Sequence, residues 1–371
     1  MAAAASLTVH LAWFLMAPGR SIQPGIYTDM KALVLKAYKE FQLEEVPNPT
    51  PASDEVRVAV KAVGICGSDV HGMDGSTGRR RPPIIMGHEA AGVIDQVGTA
   101  VKNWNPGDRV TFDSTIYCGV CDYCRDGQIN LCNNRRVLGV SCEDYRQHGA
   151  FAEFVAVPER ILYRIPESLS CEHAALVEPF SIALHAVRLP TIRLNDTVVV
   201  VGAGMIGLAL VQALRHTGCG KLIAIDLSDD RLALAKTCGA THTINSAQEP
   251  LPKLLALTEQ RGADIAFEAV GINPTVDLTL RSLRKGGAAV LVGNVTPKVD
   301  LPLQIVVTRE LTVHGSCASR GEYPACIDML ARGALNPAPL VSAIAPLSEG
   351  AAWFDRLYRK EPGLLKVVLN P

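Results

Sequence analysis

A strand, a glycine-rich turn and a helix follow one another in the second half of the chain, and no other feature restricts the fold as much. Residues 197–201 are threonine and valine only, as expected for a strand that is covered on both faces. An apolar helix ends near His216, and the next predicted strand, 221–225, is followed by Asp226. The turn before the helix consists of Gly202, Ala203, Gly204, Met205, Ile206 and Gly207.

This spacing of glycines, with an acidic residue nineteen positions after the last one, indicates a dinucleotide site. Gly204 lets the backbone approach a pyrophosphate, the helix N-terminus supplies free N–H groups, and Gly207 lets the helix pack closely on the strand. Asp226 can accept hydrogen bonds from both ribose hydroxyls and would repel a 2′-phosphate, so we expect NAD rather than NADP. Arg231 would soften that preference. A tight turn without a ligand is the alternative explanation of the glycines.

Strands and helices alternate through the rest of this half of the chain. With the two strands already named, the sequence predicts six strands in a βαβ alternation, and hence an α/β fold with a parallel, doubly wound sheet. The further strands are 242–244, 264–268, 288–293 and 311–313, and the helices between them are 228–238, 251–260 and 274–283.

The chain before residue 184 has the pattern of a β domain. Residues 55–63 alternate with period two, and 90–97 and 109–112 are further short strands. The density of glycine and proline in this region predicts a compact, barrel-like β domain rather than helices.

A chain of 371 residues is long enough for two domains with separate cores. We predict a β domain over 30–183, a nucleotide-binding domain over 184–318, and a segment, 319–371, that returns to the first domain. Residues 1–29 are expected to be a disordered extension from an upstream start codon. They lack the positive n-region of a secretory signal and are short for a membrane span, although a signal peptide or membrane anchor is the alternative.

Two short motifs in the β domain bring metal-ligand chemistry together. The first contains Cys66, Ser68, Asp69 and His71, and the second, about twenty residues later, contains His88 and Glu89. A thiolate, an imidazole and a carboxylate suit zinc, and a catalytic zinc takes three protein ligands and leaves one position open. A hydroxyl and a second histidine beside such a site could move a proton. The alternative is a buried cysteine and a structural histidine.

A second cysteine cluster lies further along the same domain. Its spacing, C-x2-C-x2-C-x7-C, can surround one zinc ion tetrahedrally in a closed site that stabilises a loop but has no catalytic use. An iron–sulfur cluster is the main alternative, but the bacterial cluster motif ends in Cys-Pro, which is not found here. The four ligands would be Cys118, Cys121, Cys124 and Cys132.

The composition argues against several other classes of protein. The formal net charge is −1, and the one basic run, 79–81, has no aromatic neighbours, so we interpret it as a solvated loop and expect no nucleic-acid partner. Eleven cysteines, partly clustered, favour metal binding in a reducing compartment, here the cytoplasm. No later segment is long and apolar enough to predict a membrane span.

Together these motifs resemble the zinc-dependent medium-chain alcohol and polyol dehydrogenases, which include sorbitol dehydrogenase. The resemblance covers 30–371 and also includes Val177, Glu178 and Pro179. It implies a GroES-like catalytic domain, a Rossmann domain for NAD, one catalytic and one structural zinc, and a cleft between the domains. It further implies a small alcohol or polyol as substrate and a homodimer or homotetramer.

The site residues can be carried over one at a time. Cys66 and His88 match the fixed zinc ligands, and Glu178 stands where the alcohol dehydrogenases have a second cysteine and polyol dehydrogenases often have an acid. The third ligand is then Glu178 itself, or Glu178 through a water molecule, with Glu89 binding or releasing the metal. An acid at a helix start, near the helix dipole, is the alternative for Glu178. Asp69 would hold the imidazole of His88.

The resemblance implies oxidation of a secondary hydroxyl of a polyol or sugar alcohol, with or without a phosphate, to a ketone, with hydride transfer to NAD. Ser68 would take the hydroxyl proton and pass it on to His71. A cyclitol, an aminocyclitol, threonine or a simple alcohol stays open as the substrate. The alternatives outside this class are a zinc hydrolase or lyase and a non-catalytic zinc and nucleotide scaffold.

Overall fold

Two large sheets carry most of the chain. The computed structural model describes residues 29–142 and 144–371. The expected N-terminal extension, 1–29, lies outside these residues except for Asp29, which begins the first strand. Within the described ranges, no helix combines the length and the apolar character needed to cross a membrane.

The first half of the chain is built from short strands, as its sequence predicts. Its strands are β1 (Asp29–Ala37), β2 (Glu40–Pro47), β3 (Glu55–Gly64), β4 (Ile84–Ile85), β5 (Glu89–Val97), β6 (Arg109–Phe112), β7 (Thr115–Ile116), β8 (Arg136–Val137), β9 (Val140–Ser141), β10 (Arg146–Gln147), β11 (Phe154–Pro158) and β12 (Leu162–Arg164). Its helices are α1 (Gly67–Gly72), α2 (Asp122–Arg125), α3 (Cys171–Ala174) and α4 (Val177–Arg188).

The second half alternates strands and helices before it returns to the first sheet. Its strands are β13 (Thr197–Val201), β14 (Lys221–Asp226), β15 (His242–Asn245), β16 (Ala263–Glu268), β17 (Leu283–Leu291), β18 (Thr312–Gly315), β19 (Val341–Pro346) and β20 (Lys366–Asn370). Its helices are α5 (Met205–Leu214), α6 (Asp229–Cys238), α7 (Pro250–Leu257), α8 (Asn273–Ser282), α9 (Leu303–Thr308), α10 (Tyr323–Ala331) and α11 (Gly350–Tyr358).

The sheet of six strands confirms the predicted α/β class. Its order is β15-β14-β13-β16-β17-β18, and every neighbouring pair is parallel. Counted from β13, this is the order 3-2-1-4-5-6 of doubly wound dinucleotide-binding sheets. All five residues of β13 are buried, because helices cover both faces of a parallel sheet.

The last strand of the chain completes a mixed sheet of seven strands in the first half. The order is β12-β6-β5-β3-β20-β19, and β11 also pairs with β3. At the end of β3, Gly64 pairs with Glu89 of β5 on one side and with Val368 of β20 on the other. The segment after 319 therefore returns to the first sheet, and it places residues more than 270 positions apart side by side.

Polar contacts tie the two halves of the chain together. Buried Glu322 accepts hydrogen bonds at 3.1 Å from Arg188 and pairs at the same distance with His185, both on α4. Asp113, at the end of β6, accepts a hydrogen bond of 3.0 Å from the hydroxyl of Ser319. The predicted domain boundary between 183 and 184 falls inside α4, so this helix is shared by both halves.

Candidate active site

Cys66 follows the end of β3 and caps the short helix α1. The backbone N–H and the hydroxyl of Ser68 both donate to its sulfur, at 3.5 and 3.3 Å. His71 lies three residues after Ser68, on the same side of α1, and is exposed. The N-cap and the first turns of this helix therefore carry the predicted thiol, hydroxyl and imidazole.

His88 and Glu89 enter the same region where β5 begins. Cys66, His88 and Glu89 each offer one ligand atom, and these atoms all lie within 4.8 Å of one another. The register of the sheet explains this, because Gly64 pairs with Glu89, and a β-carbon on Gly64 would lie 2.3 Å from Oε2 of Glu89. The missing side chain of Gly64 thus leaves the space that the carboxylate occupies.

A buried lysine from the last strand holds Glu89 from the other side. Lys366 is 2% exposed, and its Nζ donates to both carboxylate oxygens of Glu89, at 2.9 and 2.6 Å, and to the carbonyl of Ile65 at 2.9 Å. Burial alone would lower the pKa of Lys366, but the nearby charges of Glu89 and Cys66 raise it overall. The sequence analysis missed this residue, although one lysine in an otherwise apolar final strand is the signal of a buried pair.

A second buried cation, Arg80, corrects the interpretation of 79–81 as a solvated loop. Arg80 is 3% exposed, and its Nε and Nη2 donate to Oδ1 of Asp69 at 3.2 and 2.9 Å. The other carboxylate oxygen of Asp69 lies 3.5 Å from Nδ1 of His88. The structure therefore places Asp69 beside Nδ1 of His88.

Glu178 lies in the first turn of α4 and is buried. Its Oε1 accepts a hydrogen bond of 3.2 Å from the hydroxyl of Ser114. Burial raises the pKa of Glu178 to about 7, while the charge of His88 opposes this and that of Glu89 adds to it. Glu178 is therefore part of the same electrostatic cluster, but it is not one of the three residues whose ligand atoms lie within 4.8 Å of one another.

The charges of this cluster are those expected around a divalent cation. Arg80 pairs with Asp69 and Lys366 pairs with Glu89, so two cations already face two carboxylates. The remaining acids are Cys66 and Glu178, and burial raises the pKa of both. A zinc ion would be balanced by these two groups once their protons leave, and metal binding at thiols and carboxyls does release protons. The donor set thus fits zinc in kind and in charge.

The four cysteines of the second cluster lie close enough to share one ion. Cys121 Sγ is 3.5 Å from Cys124 Sγ and 3.9 Å from Cys132 Sγ, and Cys118 Sγ is 4.0 Å from Cys124 Sγ. Sulfurs bound at about 2.3 Å to a tetrahedral zinc are about 3.8 Å apart, so the geometry fits. Hydrogen bonds from the N–H groups of Val120 and Cys121 lower the pKa of Cys118 to about 6. All eleven cysteines of the chain are free thiols.

The glycine turn has the geometry of a pyrophosphate cradle. Gly202 has φ +97°, and α5 begins directly after Gly204, as predicted, with Met205 and Ile206 in its first turn. A β-carbon on Gly204 would meet open space, whereas one on Gly207 would lie 1.8 Å from the carbonyl oxygen of Gly202. Gly207 is thus required for packing, and Gly204 leaves room at the helix N-terminus for a ligand.

Asp226 and Arg231 lie beside this turn. Asp226 ends β14, and its carboxylate accepts hydrogen bonds from the N–H of Ala203 at 2.6 Å and of Ser228 at 2.9 Å. Nη2 of Arg231 donates to the carbonyl of Leu364, and its buried Nη1 has no hydrogen-bond partner among the described residues. Burial lowers the pKa of Arg231, which the charge of Asp226 opposes.

The metal cluster and the glycine turn are connected through two packed helices. Glu178 stands on α4, and α4 packs along α5, the helix that begins at Gly204. The same helix α4 lies against the β5 strand that begins with Glu89. The candidate metal site and the glycine turn therefore share one structural support.

Comparison with known proteins identifies the family. Residues 52–167 match the family model of the alcohol dehydrogenase GroES-like domain, and residues 206–332 match that of the zinc-binding dehydrogenases. The chain belongs to the zinc-dependent alcohol and polyol dehydrogenases, as its motifs predicted. The predicted combination of a GroES-like domain with a Rossmann sheet is confirmed.

Two curated relatives and two solved structures extend this result. The chain is 35% identical to the sorbitol dehydrogenase of Bacillus subtilis over 92% of this chain and 98% of that protein. It is 33% identical to the D-arabitol-phosphate dehydrogenase of Enterococcus avium over 90% of this chain and 95% of that protein. A zinc-binding dehydrogenase of Sinorhizobium meliloti, solved with NADP, superposes with a TM-score of 0.84 at 32% identity, covering 92% of this chain and 99% of that chain. An Escherichia coli dehydrogenase solved with NADH superposes with a TM-score of 0.85 at 32% identity, covering 93% of this chain and 100% of that chain.

The Lys366–Glu89 pair yields a stability prediction. Lys366→Met leaves a buried carboxylate without its cation, so we expect a loss of about 3–5 kcal/mol in the free energy of unfolding. The double variant Lys366→Met, Glu89→Gln removes both charges and should recover most of that loss. Arg332→Met, in the exposed pair with Asp328, is the matched control and should cost less than about 1 kcal/mol. Urea unfolding at equal metal content measures the free energy of unfolding of all three variants. A Lys366→Met variant as stable as wild type would contradict the prediction.

Proposed function

We propose that this chain oxidises a secondary hydroxyl of a polyol or sugar alcohol to a ketone and transfers the hydride to NAD. One observation carries the proposal: the thiol of Cys66, the imidazole of His88 and the carboxylate of Glu89 converge on one point. The helix α4, which runs beside this point, packs on the helix of the glycine turn. A zinc hydrolase needs no such turn, and a non-catalytic zinc and nucleotide scaffold needs no three-residue ligand set beside it.

The catalytic zinc would be held by Cys66, His88 and an acid, and a structural zinc by the four-cysteine cluster. A carboxylate oxygen of Glu89 lies near the ligand atoms of Cys66 and His88. Glu178 is buried nearby, and its pKa is raised. We propose that Glu89 binds the zinc directly as the third ligand. Glu178 would bind it through a water molecule. A second acid makes the site more polar, which favours a substrate with several hydroxyls.

The reaction requires no covalent bond between the protein and the substrate. Zinc would lower the pKa of the substrate hydroxyl, and NAD would accept the hydride. The side chains of this chain position the reactants and move the proton. The exposed hydroxyl of Ser68, beside the sulfur of Cys66, would accept that proton, and His71, three residues further along α1, would deliver it to solvent.

NAD rather than NADP is proposed as the cofactor. Asp226 places a carboxylate beside the turn, bound to the N–H of Ala203, and a 2′-phosphate would meet this charge. Arg231 donates to the carbonyl of Leu364 and stands beside Asp226, so it weakens the repulsion without removing it.

The substrate class rests on the two named relatives, a sorbitol dehydrogenase and a D-arabitol-phosphate dehydrogenase. The test is a panel of polyols, cyclitols, phosphorylated sugar alcohols, threonine and simple alcohols, read by NADH absorbance with NAD and NADP in parallel. We expect turnover with polyols and NAD. Cys66→Ser and His88→Ala should abolish turnover, lose one zinc of two, and retain cofactor binding measured by tryptophan fluorescence.

The four-cysteine cluster provides the matched control for that experiment. Cys121→Ser should also lose one zinc, but the metal at Cys66 and His88 should stay. Near-full turnover of Cys66→Ser or His88→Ala after zinc removal would contradict the proposed function. Turnover restricted to a non-polyol alcohol would contradict the substrate class alone.

The proton relay has its own test. His71→Gln removes the group that delivers the proton to solvent, so we expect the reaction to slow most at low pH, where release to solvent is hardest. The pH–rate profiles of wild type and variant measure this. An unchanged profile would argue against a relay through His71.

We further propose a homodimer formed along β18. This strand is the edge of the six-stranded sheet, and exposed apolar residues lie on it and in the segment that precedes it in the chain. An unpaired edge can pair with the same strand of a second copy around a two-fold axis. The exposed residues are Val295, Leu301, Leu303, Val307 and Val313.

A charged variant of this surface tests the dimer. Leu303→Glu with Val307→Glu places two charges one turn apart on α9, and we expect light scattering to give the mass of one chain. Leu194→Glu, at an exposed leucine far from β18 in the sequence, is the control and should leave the dimer intact. A wild-type chain that is monomeric would refute the proposal.

The location and the domain division complete the proposal. We propose a cytoplasmic protein, because eleven free thiols are typical of a reducing compartment. We also propose a catalytic domain of 30–183 with 319–371 and a cofactor domain of 184–318, supported by the pairing of β20 with β3.

A further inference from the structure

Arg80 is neither a metal ligand nor a cofactor residue, yet its guanidinium lies inside the metal cluster. Its Nε and Nη2 donate to one oxygen of Asp69, and Nη2 also lies 3.4 Å from the hydroxyl oxygen of Ser68. Its Nη1 donates to the carbonyl of Arg79 at 3.2 Å. Three different acceptors therefore fix one buried side chain.

We propose that Arg80 is a positioning residue for the catalytic centre, which holds Asp69 against the ring of His88 and the hydroxyl of Ser68 beside the sulfur of Cys66. The proposal rests on the proposed function and adds a residue to it. Arg80 anchors Oδ1 of Asp69 by two hydrogen bonds, so Oδ2 is left directed at Nδ1 of His88, 3.5 Å away.

The two facing atoms support this direction of action. Oδ2 of Asp69 and Nδ1 of His88 are both buried, and neither has a hydrogen-bond partner among the described residues. Each is therefore the natural partner of the other once the ring moves by a few tenths of an ångström. A carboxylate at the outer nitrogen sets the orientation and basicity of a ligating imidazole. Arg80 would act on the metal through this contact.

The site is built for arginine and not for a generic cation. A guanidinium offers five N–H donors in a rigid plane, whereas an ammonium is a point charge on a flexible stem. The three acceptors, on Asp69, Arg79 and Ser68, lie around that plane. Gly72 of α1 provides the space, because a β-carbon there would lie 2.5 Å from Cγ of Arg80.

Ser68 connects Arg80 to the chemistry as well as to the metal. Its hydroxyl donates to the sulfur of Cys66 at 3.3 Å, and Nη2 of Arg80 lies on the other side of the same oxygen. One nitrogen thus contacts both the oxygen that would accept the substrate proton and the carboxylate that orients His88. Loss of Arg80 should therefore change metal binding and catalysis together.

The experiment uses the full chain loaded with Co²⁺ as a visible probe of the metal site. Arg80→Met, Arg80→Lys and the control Arg79→Met, whose side chain is exposed, are compared with wild type. The spectrum of the Cys66→Ser chain reports the four-cysteine cluster alone and is subtracted. Competition with a chelator gives the metal affinity, and polyol oxidation gives kcat and KM.

We expect Arg80→Met to weaken metal binding at this site by about 10–100-fold, as for other partners of ligating side chains, and to shift the Co²⁺ absorption bands. The metal affinity of Arg80→Lys should lie between those of Arg80→Met and wild type. Arg79→Met should have the affinity and the absorption bands of wild type. The fall in activity should appear in kcat more than in KM. If Arg80→Met does not fold, the neutral pair Asp69→Asn, Arg80→Met replaces it and should bind metal no more weakly than Asp69→Asn alone, since Arg80 acts on the metal through Asp69.

The outcomes separate this inference from the proposed function. Wild-type affinity and absorption bands in Arg80→Met would overturn the inference while polyol oxidation by wild type still upholds the function. Additive losses of metal affinity in the double variant would also overturn it, because Arg80 would then act on the metal by a route other than Asp69. A wild-type chain that binds no Co²⁺ outside the four-cysteine cluster would overturn both.

Discussion

Burial of charge is the constraint on which the rest of this structure depends. Asp69, Glu89 and Glu178 are buried next to the partly buried Cys66, and a buried acid is tolerated only when it is paired or protonated. Arg80 and Lys366 neutralise two of the four acids. The other two have raised pKa values, and a divalent cation would balance their charges once they lose their protons.

The fold meets this constraint at a single residue of the first sheet. Gly64 ends β3 and pairs with both β5 and β20, so the chain leaves β3 toward Cys66 with Glu89 on one flank and the strand of Lys366 on the other. A side chain at this position would collide with the carboxylate of Glu89. Strand pairing, and not local helix or loop structure, therefore assembles the ligand set.

The sequence predicted those parts of the molecule that depend on local pattern. The apolar run of β13, the glycine turn and the end of α6 at Cys238 follow from periodicity and backbone sterics, and all are found. β17 begins at Leu283, earlier than the predicted 288, because it passes through Gly286 at φ +68° and so resembles a turn in the sequence. The burial of Arg80 and Lys366 was missed for a different reason. Their partners are distant in sequence or lie across a loop, so the burial of these charges can be predicted only when the strand pairing is known.

The pairing of β20 with β3 also has a consequence for the life of the chain before it leaves the ribosome. Cys66, His88 and Glu89 emerge early in synthesis, whereas Lys366 is 277 residues behind Glu89. Until β20 pairs with β3, the carboxylate of Glu89 lacks the lysine that neutralises it in the folded chain. The charge balance around the ligand residues is therefore reached only when distant parts of the chain have paired.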